Sequence, residues 1–234
     1  MKRFYKEVSV APVEGGFTVL LDSKPVKTPA RHALTLPTET LAVAIAAEWR
    51  EQGPEIIPTA MPLLRLANTV IDGIAANREQ VIAAILRFGE NDLLCYRAHQ
   101  PPDLVARQRA GWDPVLDWVS QRHGVQMRVS QGLNHVDHPP QTLAALRRPL
   151  EGLDAFTLGA MHVIASVTGS LVLALAVLDE ALSGARAFEL SRIDETYQAE
   201  KWGQDTEAAK RATALAHELD KAVELIASVS QECK

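Results

Sequence analysis

"HALTLPTETLAVAIAAEWREQG", residues 32–53, changes within a few positions from a strand pattern to a helix pattern. Its first six residues contain leucine and threonine and end at a proline, which is typical of a short strand. Thr38 then provides an N-cap for a helix that ends at the following Gly-Pro pair. Because Leu41, Ile45 and Trp49 recur at four-residue spacing, they predict one apolar helix face.

The residues before this helix predict an antiparallel meander of three to four strands. Its segments are short, rich in Val, Thr and Leu, and separated by turn residues such as Gly15-Gly16 and Asp22-Ser23. The segments are "KEVSVAPV", "GGFTVLLD", "KPVKTP" and "HALTLP". Because three or four strands alone are only marginally stable, we expect the meander to pack on helices or to gain further strands.

The residues after the first helix are mostly helical in pattern. One short strand is predicted over 125–130, and helices are predicted over 62–75, 77–88, 103–122, 141–150, 155–181, 185–202 and 205–229. Strands followed by helices, without alternation, are typical of an α+β fold. The sequence therefore predicts a small antiparallel β-rich N-terminal domain over 1–55 and a larger α-helical domain over 56–234.

One apolar stretch is long enough to cross a bilayer. Residues 155–178 carry no formal charge. Polar residues lie near the middle of the stretch, and its flanks have no basic cluster on one side. A central helix that is apolar on all sides and buried in protein explains the stretch better than a membrane span. We therefore expect no membrane insertion.

Composition limits the classes of function. The chain has 234 residues and a formal net charge of −5, and its basic residues are scattered, so nucleic acid is not expected as the main partner. Its two cysteines, Cys95 and Cys233, form no disulfide framework and fit a reducing compartment. The N-terminal residues show no secretory signal or import leader, which favours a cytoplasmic protein or a mature form that is already trimmed.

Motifs for cofactors and catalysis are weak. The glycine spacings match neither a dinucleotide-binding loop nor a P-loop. His135 and His138 are three positions apart in a proline-rich segment, but no cysteine pair completes a zinc site, so we expect no metal. Cys95 lies in an apolar run and is interpreted as a buried, inert thiol. No cofactor is expected either.

An enzyme stays open as the alternative. It would be a small hydrolase or isomerase that uses carboxylates in an interdomain pocket as general acid and base. The sequence offers five candidates for these groups: Asp92, Asp113, Asp117, Asp194 and Glu195.

An acidic segment near the C-terminus, "RIDETYQAEKWGQD" at 192–205, also contains a tyrosine and a tryptophan. On a helix, Leu190, Ile193 and Tyr197 form an apolar stripe, and Glu200 lies close to this stripe. A carboxylate near a buried stripe needs a cation. A salt bridge to Lys201 or to an arginine of a neighbouring helix satisfies this need, and so does a cation of a partner protein.

An ordered set of segments resembles the ATP synthase assembly chaperone family, which holds the α subunit of the catalytic head before the β subunit joins. The matching segments span residues 3–203: "RFYKEVSV", "GFTVLLDSKPVKTPARHALTLPT", "LAVAIAAEWREQ", "IIPTAMPLLRLANTVID", "ENDLLCYRA", "WDPVLDW" and "SRIDETYQAEKWG". The resemblance implies a β-rich N-terminal domain, a helical C-terminal domain and no catalysis. It further implies a bacterial relative of eukaryotic members that lie in the mitochondrial matrix.

The resemblance also implies a site. It assigns client binding to the acidic helix segment, with Asp194 and Glu195 as charge anchors and Tyr197, Glu200 and Trp202 beside them. The expected function is a chaperone that acts as a monomer. It would bind the unassembled α subunit and shield its interface until the β subunit joins.

Overall fold

The structure is a computed structural model, and it describes residues 1–132, 136–203 and 205–230. His135 and Cys233 lie outside the described residues. Within this part of the chain, a small antiparallel sheet comes first and helices follow, which confirms the predicted α+β fold. The sequence-based domain boundary at residue 55 stays a prediction.

The N-terminal sheet has the strand order β1-β2-β3, with β1 at Val8–Val13, β2 at Gly16–Leu21 and β3 at Lys24–Pro25. Both pairings are antiparallel. The fourth predicted segment contributes an isolated bridge between Phe17 and Leu36 instead of a regular strand. A Cβ at Gly16 would lie 2.1 Å from the Leu36 carbonyl oxygen, so the close approach of this segment requires glycine.

Ten α-helices follow in the described residues, and a short parallel ladder joins β4 (Tyr96–Arg97) to β5 (Ser130–Gln131). The predicted strand at 125–130 is thus displaced to its C-terminal end. The helices are α1 (Glu39–Arg50), α2 (Pro62–Thr69), α3 (Arg78–Glu90), α4 (Pro102–His123), α5 (Pro140–Glu151), α6 (Ala155–Thr168), α7 (Leu171–Leu178), α8 (Gly184–Ser191), α9 (Ile193–Trp202) and α10 (Thr206–Ser230).

The described chain divides into two compact units. The first comprises residues 1–78 and 154–160 with the described part of 221–234, and the second comprises 79–153 and 161–220. In the first unit, α1 packs on β1 and β2. The Thr38 side chain accepts a hydrogen bond from the Leu41 amide, which confirms the predicted N-cap.

A buried carboxylate joins two helices of the first unit. Glu48 is 8% exposed, and its Oε1 and Oε2 accept hydrogen bonds from the amides of Leu63 (2.8 Å) and Leu64 (2.9 Å). These amides open α2, whose own N-cap residue, Met61, makes no side-chain cap hydrogen bond. Glu48 therefore caps α2 from a neighbouring helix and satisfies two donors that have no partner within the helix.

Replacing Glu48 by alanine should lower the free energy of unfolding by about 2 kcal/mol, because two buried amides lose their acceptor. Denaturant unfolding measures this change. Glu51→Ala is the matched control, since Glu51 is exposed at the end of α1 and should shift the value by less than about 0.5 kcal/mol. Equal effects of the two substitutions would contradict the capping role.

The second unit contains most of the apolar stretch that raised the membrane question. The prediction of one continuous helix over 155–181 was wrong, because α6 ends at Thr168 and α7 begins at Leu171. Gly169 between them has φ +67°, a conformation that glycine adopts without strain. Ser170 then caps α7 by accepting from the Leu173 amide. No helix of the described ranges has both the length and the apolar character that a bilayer crossing demands.

A second predicted helix, over 185–202, is also interrupted. Helix α8 ends at Ser191 and α9 begins at Ile193, with Arg192 between them at φ −114° and ψ 16°. The Arg192 Nη2 atom donates to the Val167 carbonyl at 2.9 Å, and its guanidinium lies over the Phe188 ring. The break thus turns the acidic segment into a short helix of its own.

Candidate functional site

The acidic segment is positioned by close packing of α9 on α4. A Cβ at Gly111 of α4 would lie 2.7 Å from Ile193 Cδ1 and 2.9 Å from Leu190 Cδ2, so glycine permits the approach. Leu190 and Tyr197 are 2% and 4% exposed, which confirms two members of the predicted stripe. The sequence therefore buries one face of α9 and leaves its carboxylates at the edge of the contact.

Tyr197 is an internal packing residue of this contact. Its hydroxyl donates to Asp103 Oδ1 on α4 at 2.8 Å, and the other Asp103 oxygen pairs with Lys201 Nζ at 3.2 Å. The hydrogen bond from Tyr197 is the main reason why the pKa of Asp103 is lowered. Burial, and next the same hydrogen bond, raise the pKa of Tyr197. Tyr197 thus links the two helices and offers little surface to a partner.

Glu200 has the cation that the sequence pattern required, and it comes from the neighbouring helix. Its Oε2 lies 2.7 Å from Nη2 of Arg107 on α4. This hydrogen bond lowers the pKa of Glu200 and raises that of Arg107. The side chain of Glu200 is 47% exposed, so it lies at the edge of the buried stripe and not within it.

The two expected charge anchors also have partners within the chain. Asp194 Oδ1 accepts a hydrogen bond from Gln108 Nε2 at 2.7 Å, and Gln108 is buried. Glu195 Oε1 lies 2.8 Å from Arg192 Nη1, and its side chain is 57% exposed. Glu195 is therefore an exposed, paired carboxylate, and Asp194 is a more enclosed one.

Trp202 is the exposed aromatic residue of this region. Its side chain is 77% exposed at the C-terminus of α9. Gly203 follows at φ +93° and ends the helix. A tryptophan is seldom this exposed in a folded protein, but tryptophan is enriched among the residues that contribute most binding energy at protein interfaces.

Together these residues form a surface that we call the α4–α9 face. It consists of exposed charges on both helices and one exposed indole at the end of α9: Asp103, Arg107, Glu195, Glu200, Lys201 and Trp202. Sequence reasoning named the α9 members and missed the α4 members. Asp103 and Arg107 are four residues apart at the start of α4, but no local pattern indicates which helix they face.

The carboxylates of the enzyme alternative lie in unlike surroundings. Asp92 is fully buried, and Asp113 pairs with Arg97 at 2.8 Å. Burial raises the pKa of the Cys95 thiol, so this cysteine is a poor nucleophile. No group of three or more His, Cys, Asp or Glu residues able to hold a metal ion occurs among the described residues.

Comparison with known proteins adds a family assignment. Residues 2–120 match the family described as ATP12 chaperone protein. Two solved structures are similar over nearly the whole chain. A protein from Agrobacterium tumefaciens is 43% identical with a TM-score of 0.95, over 98% of this chain and 86% of that one. Atp12 from Paracoccus denitrificans is 40% identical with a TM-score of 0.93, and the match covers 97% of this chain and 98% of that one.

A curated relative extends the similarity to eukaryotes. The mitochondrial protein atp12 of Schizosaccharomyces pombe is 24% identical over 231 residues, which is 94% of this chain and 77% of that protein. These matches define a chaperone that acts in the assembly of another complex. The chain belongs to the ATP12 chaperone family, which serves ATP synthase assembly.

Proposed function

We propose that this chaperone binds the unassembled α subunit of the ATP synthase catalytic head and shields its interface until the β subunit joins. An unassembled subunit exposes a large apolar patch that favours aggregation. A chaperone has to cover such a patch and still release it. Moderate affinity, with polar anchoring around a small apolar centre, suits this task better than a wholly apolar interface.

The observation that carries the proposal is the exposed Trp202 within the α4–α9 face. An exposed tryptophan on the same helix as paired surface charges suits the apolar centre and the charged rim of a transient interface. We propose that Trp202 provides the apolar contact, while Glu195 and Glu200 attract basic groups of the client. Asp194 and Tyr197 support the face from within, through Gln108 and Asp103.

No catalytic step is part of this proposal. Transfer of the client to the β subunit is driven by the tighter final complex, so neither ATP nor another cofactor is required. We propose that the chain acts as a monomer in the bacterial cytoplasm. This compartment corresponds to the mitochondrial location of the Schizosaccharomyces pombe relative.

A capture experiment tests this function. Tagged wild type, expressed in its source cells, should retain the α subunit but not the assembled synthase. Mass spectrometry identifies the retained proteins. Asp194→Lys/Glu195→Lys should lose most of it, because both carboxylates belong to the proposed site. The control Glu218→Lys/Asp220→Lys makes the same charge change at exposed positions of α10.

The outcomes separate function from site. Retention by wild type and by both variants would keep the function and move the site. If wild type retains no synthase subunit, the α-subunit proposal is wrong, and the carboxylate hydrolase or isomerase becomes the hypothesis to test.

A further inference from the structure

A small cavity lies on another side of α4, next to the β4–β5 ladder. Its volume is about 260 Å³. The Arg97 carbonyl accepts a hydrogen bond from the Gly132 amide at 3.0 Å, which holds the ladder in place. The lining residues that matter here are two arginines, one carboxylate, one amide and two valines: Arg97, Arg109, Asp113, Gln108, Val105 and Val129.

Arg97 is the unusual residue of this cavity, since its side chain is only 8% exposed. Nη1 pairs with Asp113 at 2.8 Å, Nε donates to the Leu94 carbonyl at 2.8 Å, and the guanidinium lies over the Trp112 ring. Nη2 is buried and has no hydrogen-bond partner among the described residues. A buried donor without an acceptor is costly, and a bound acceptor would remove this cost.

The charge of the cavity selects the chemistry of that acceptor. Two arginines face one carboxylate, which leaves an excess of one positive charge. Arg109 is exposed at the surface, whereas Arg97 is held below it by its contacts. Guanidinium groups bind carboxylates through paired N–H donors. A single carboxylate therefore fits the charge of the cavity, and it reaches the unsatisfied Nη2 atom once the guanidinium turns toward the cavity.

The size of the cavity selects the source of the carboxylate. Small-molecule pockets usually measure about 300–1,000 Å³, so a volume of about 260 Å³ suits one side chain better than a metabolite. Val105 and Val129 line the cavity with apolar surface that matches the methylene groups of glutamate or aspartate. Val129 is 50% exposed, which leaves the entrance accessible to a bound chain.

The cavity is also connected to the α4–α9 face. Gln108 accepts from the Ala98 amide at 2.8 Å on the cavity side and donates to Asp194 at 2.7 Å on the other side. We propose that the cavity binds an acidic side chain of the same client polypeptide that contacts the α4–α9 face. This inference rests on the proposed function for the identity of the client, while the carboxylate chemistry rests on the cavity alone.

Two measurements test the proposal. First, isothermal titration with purified, unassembled α subunit compares wild type with Arg109→Glu and Val129→Asp, which place a negative charge at the cavity. Both should weaken binding about tenfold. Arg87→Glu is the control, because Arg87 is exposed on α3 and should change the affinity less than about twofold.

Second, the Arg97 Nε signal is followed by NMR while N-acetylglutamate methylamide is added, with the glutamine analogue as control. This arm needs no client. We expect a saturable shift with the glutamate compound alone, lost in Arg109→Glu. Suppose that the α subunit binds wild type, that neither variant lowers this affinity, and that the Arg97 Nε signal does not move. The cavity proposal is then wrong, while the α-subunit proposal stands. If the Arg97 Nε signal shifts but neither wild type nor the variants bind the α subunit, the cavity does bind a carboxylate and the proposed client is wrong.

Discussion

Replacing Asp92 by alanine should lower the free energy of unfolding by about 3 kcal/mol or more, the largest stability change that the structure implies. The side chain is fully buried, and its oxygens accept hydrogen bonds from the amides of Leu94 at 3.1 Å and Val172 at 3.0 Å. Ser170 and Leu171 also donate to it. The substitution removes the acceptor for all of these buried donors at once.

The location of Asp92 explains why the effect should spread. Its carboxylate lies at the N-terminus of α7, where unpaired amides and the helix dipole favour a negative charge. The same side chain caps the short turn at Leu93–Cys95. Denaturant unfolding of Asp92→Ala measures the effect, and Asp117→Ala is the control at an exposed position of α4. A loss below about 1 kcal/mol would contradict the capping role.

Stability should also depend on pH through this group. Burial raises the pKa of Asp92 to about 6, whereas an unfolded aspartate titrates near about 3.9. The folded state therefore holds more protons between these values, so the contribution of Asp92 is greatest at low pH and falls as pH rises through about 6.

The comparison with Asp92→Asn isolates this contribution from other carboxylates. The stability of wild type relative to this variant should increase by about 1 kcal/mol when the pH falls from about 7 to about 5. Urea unfolding at both pH values measures it. A difference that is independent of pH, or one that decreases, would show that the carboxyl stays ionised in the folded protein.

Trp202→Ala should weaken binding of the unassembled α subunit at least about thirtyfold, a loss of about 2 kcal/mol that is typical of a central interface tryptophan. The side chain is 77% exposed, so the free protein loses almost no packing. The free energy of unfolding should therefore change by less than about 0.5 kcal/mol. Isothermal titration and denaturant unfolding of the same preparation separate the two quantities.

The chain offers a matched control for an exposed aromatic side chain. Phe4 is 64% exposed and belongs to the first packing unit, away from the α4–α9 residues in sequence. Phe4→Ala should leave the affinity within about twofold of wild type. If Phe4→Ala weakens binding as much as Trp202→Ala, the client contacts a different or a wider surface than the one proposed.

The sequence predicted the fold class well because its signals are local. Thr38 as N-cap and the four-residue spacing of Leu41, Ile45 and Trp49 indicate α1 from neighbouring residues alone. The break between α6 and α7 was missed because Gly169 and Ser170 fall inside a long apolar run and because a distant side chain also caps α7. Asp92 accepts from the Val172 amide across 80 positions of sequence, and apolar composition alone cannot reveal that partner.

The candidate site was predictable only in part, for the same reason. The periodicity placed Tyr197 on the buried face of α9, and it also showed that a nearby carboxylate needs a cation. It did not identify Arg107, which pairs with Glu200 from a helix more than ninety positions earlier in the chain. The exposure of Trp202 likewise depends on how α9 packs on α4, and the sequence pattern does not determine that packing.

The proposed chaperone holds the α subunit until the β subunit replaces it. Size-exclusion chromatography with light scattering tests it directly on the purified chain mixed with unassembled α subunit, before and after the β subunit is added. We expect a complex of one chain with one α subunit before the addition, and free chain beside an α–β complex after it. A chain that elutes alone at the start, or one that stays bound after the β subunit is added, would contradict the claim.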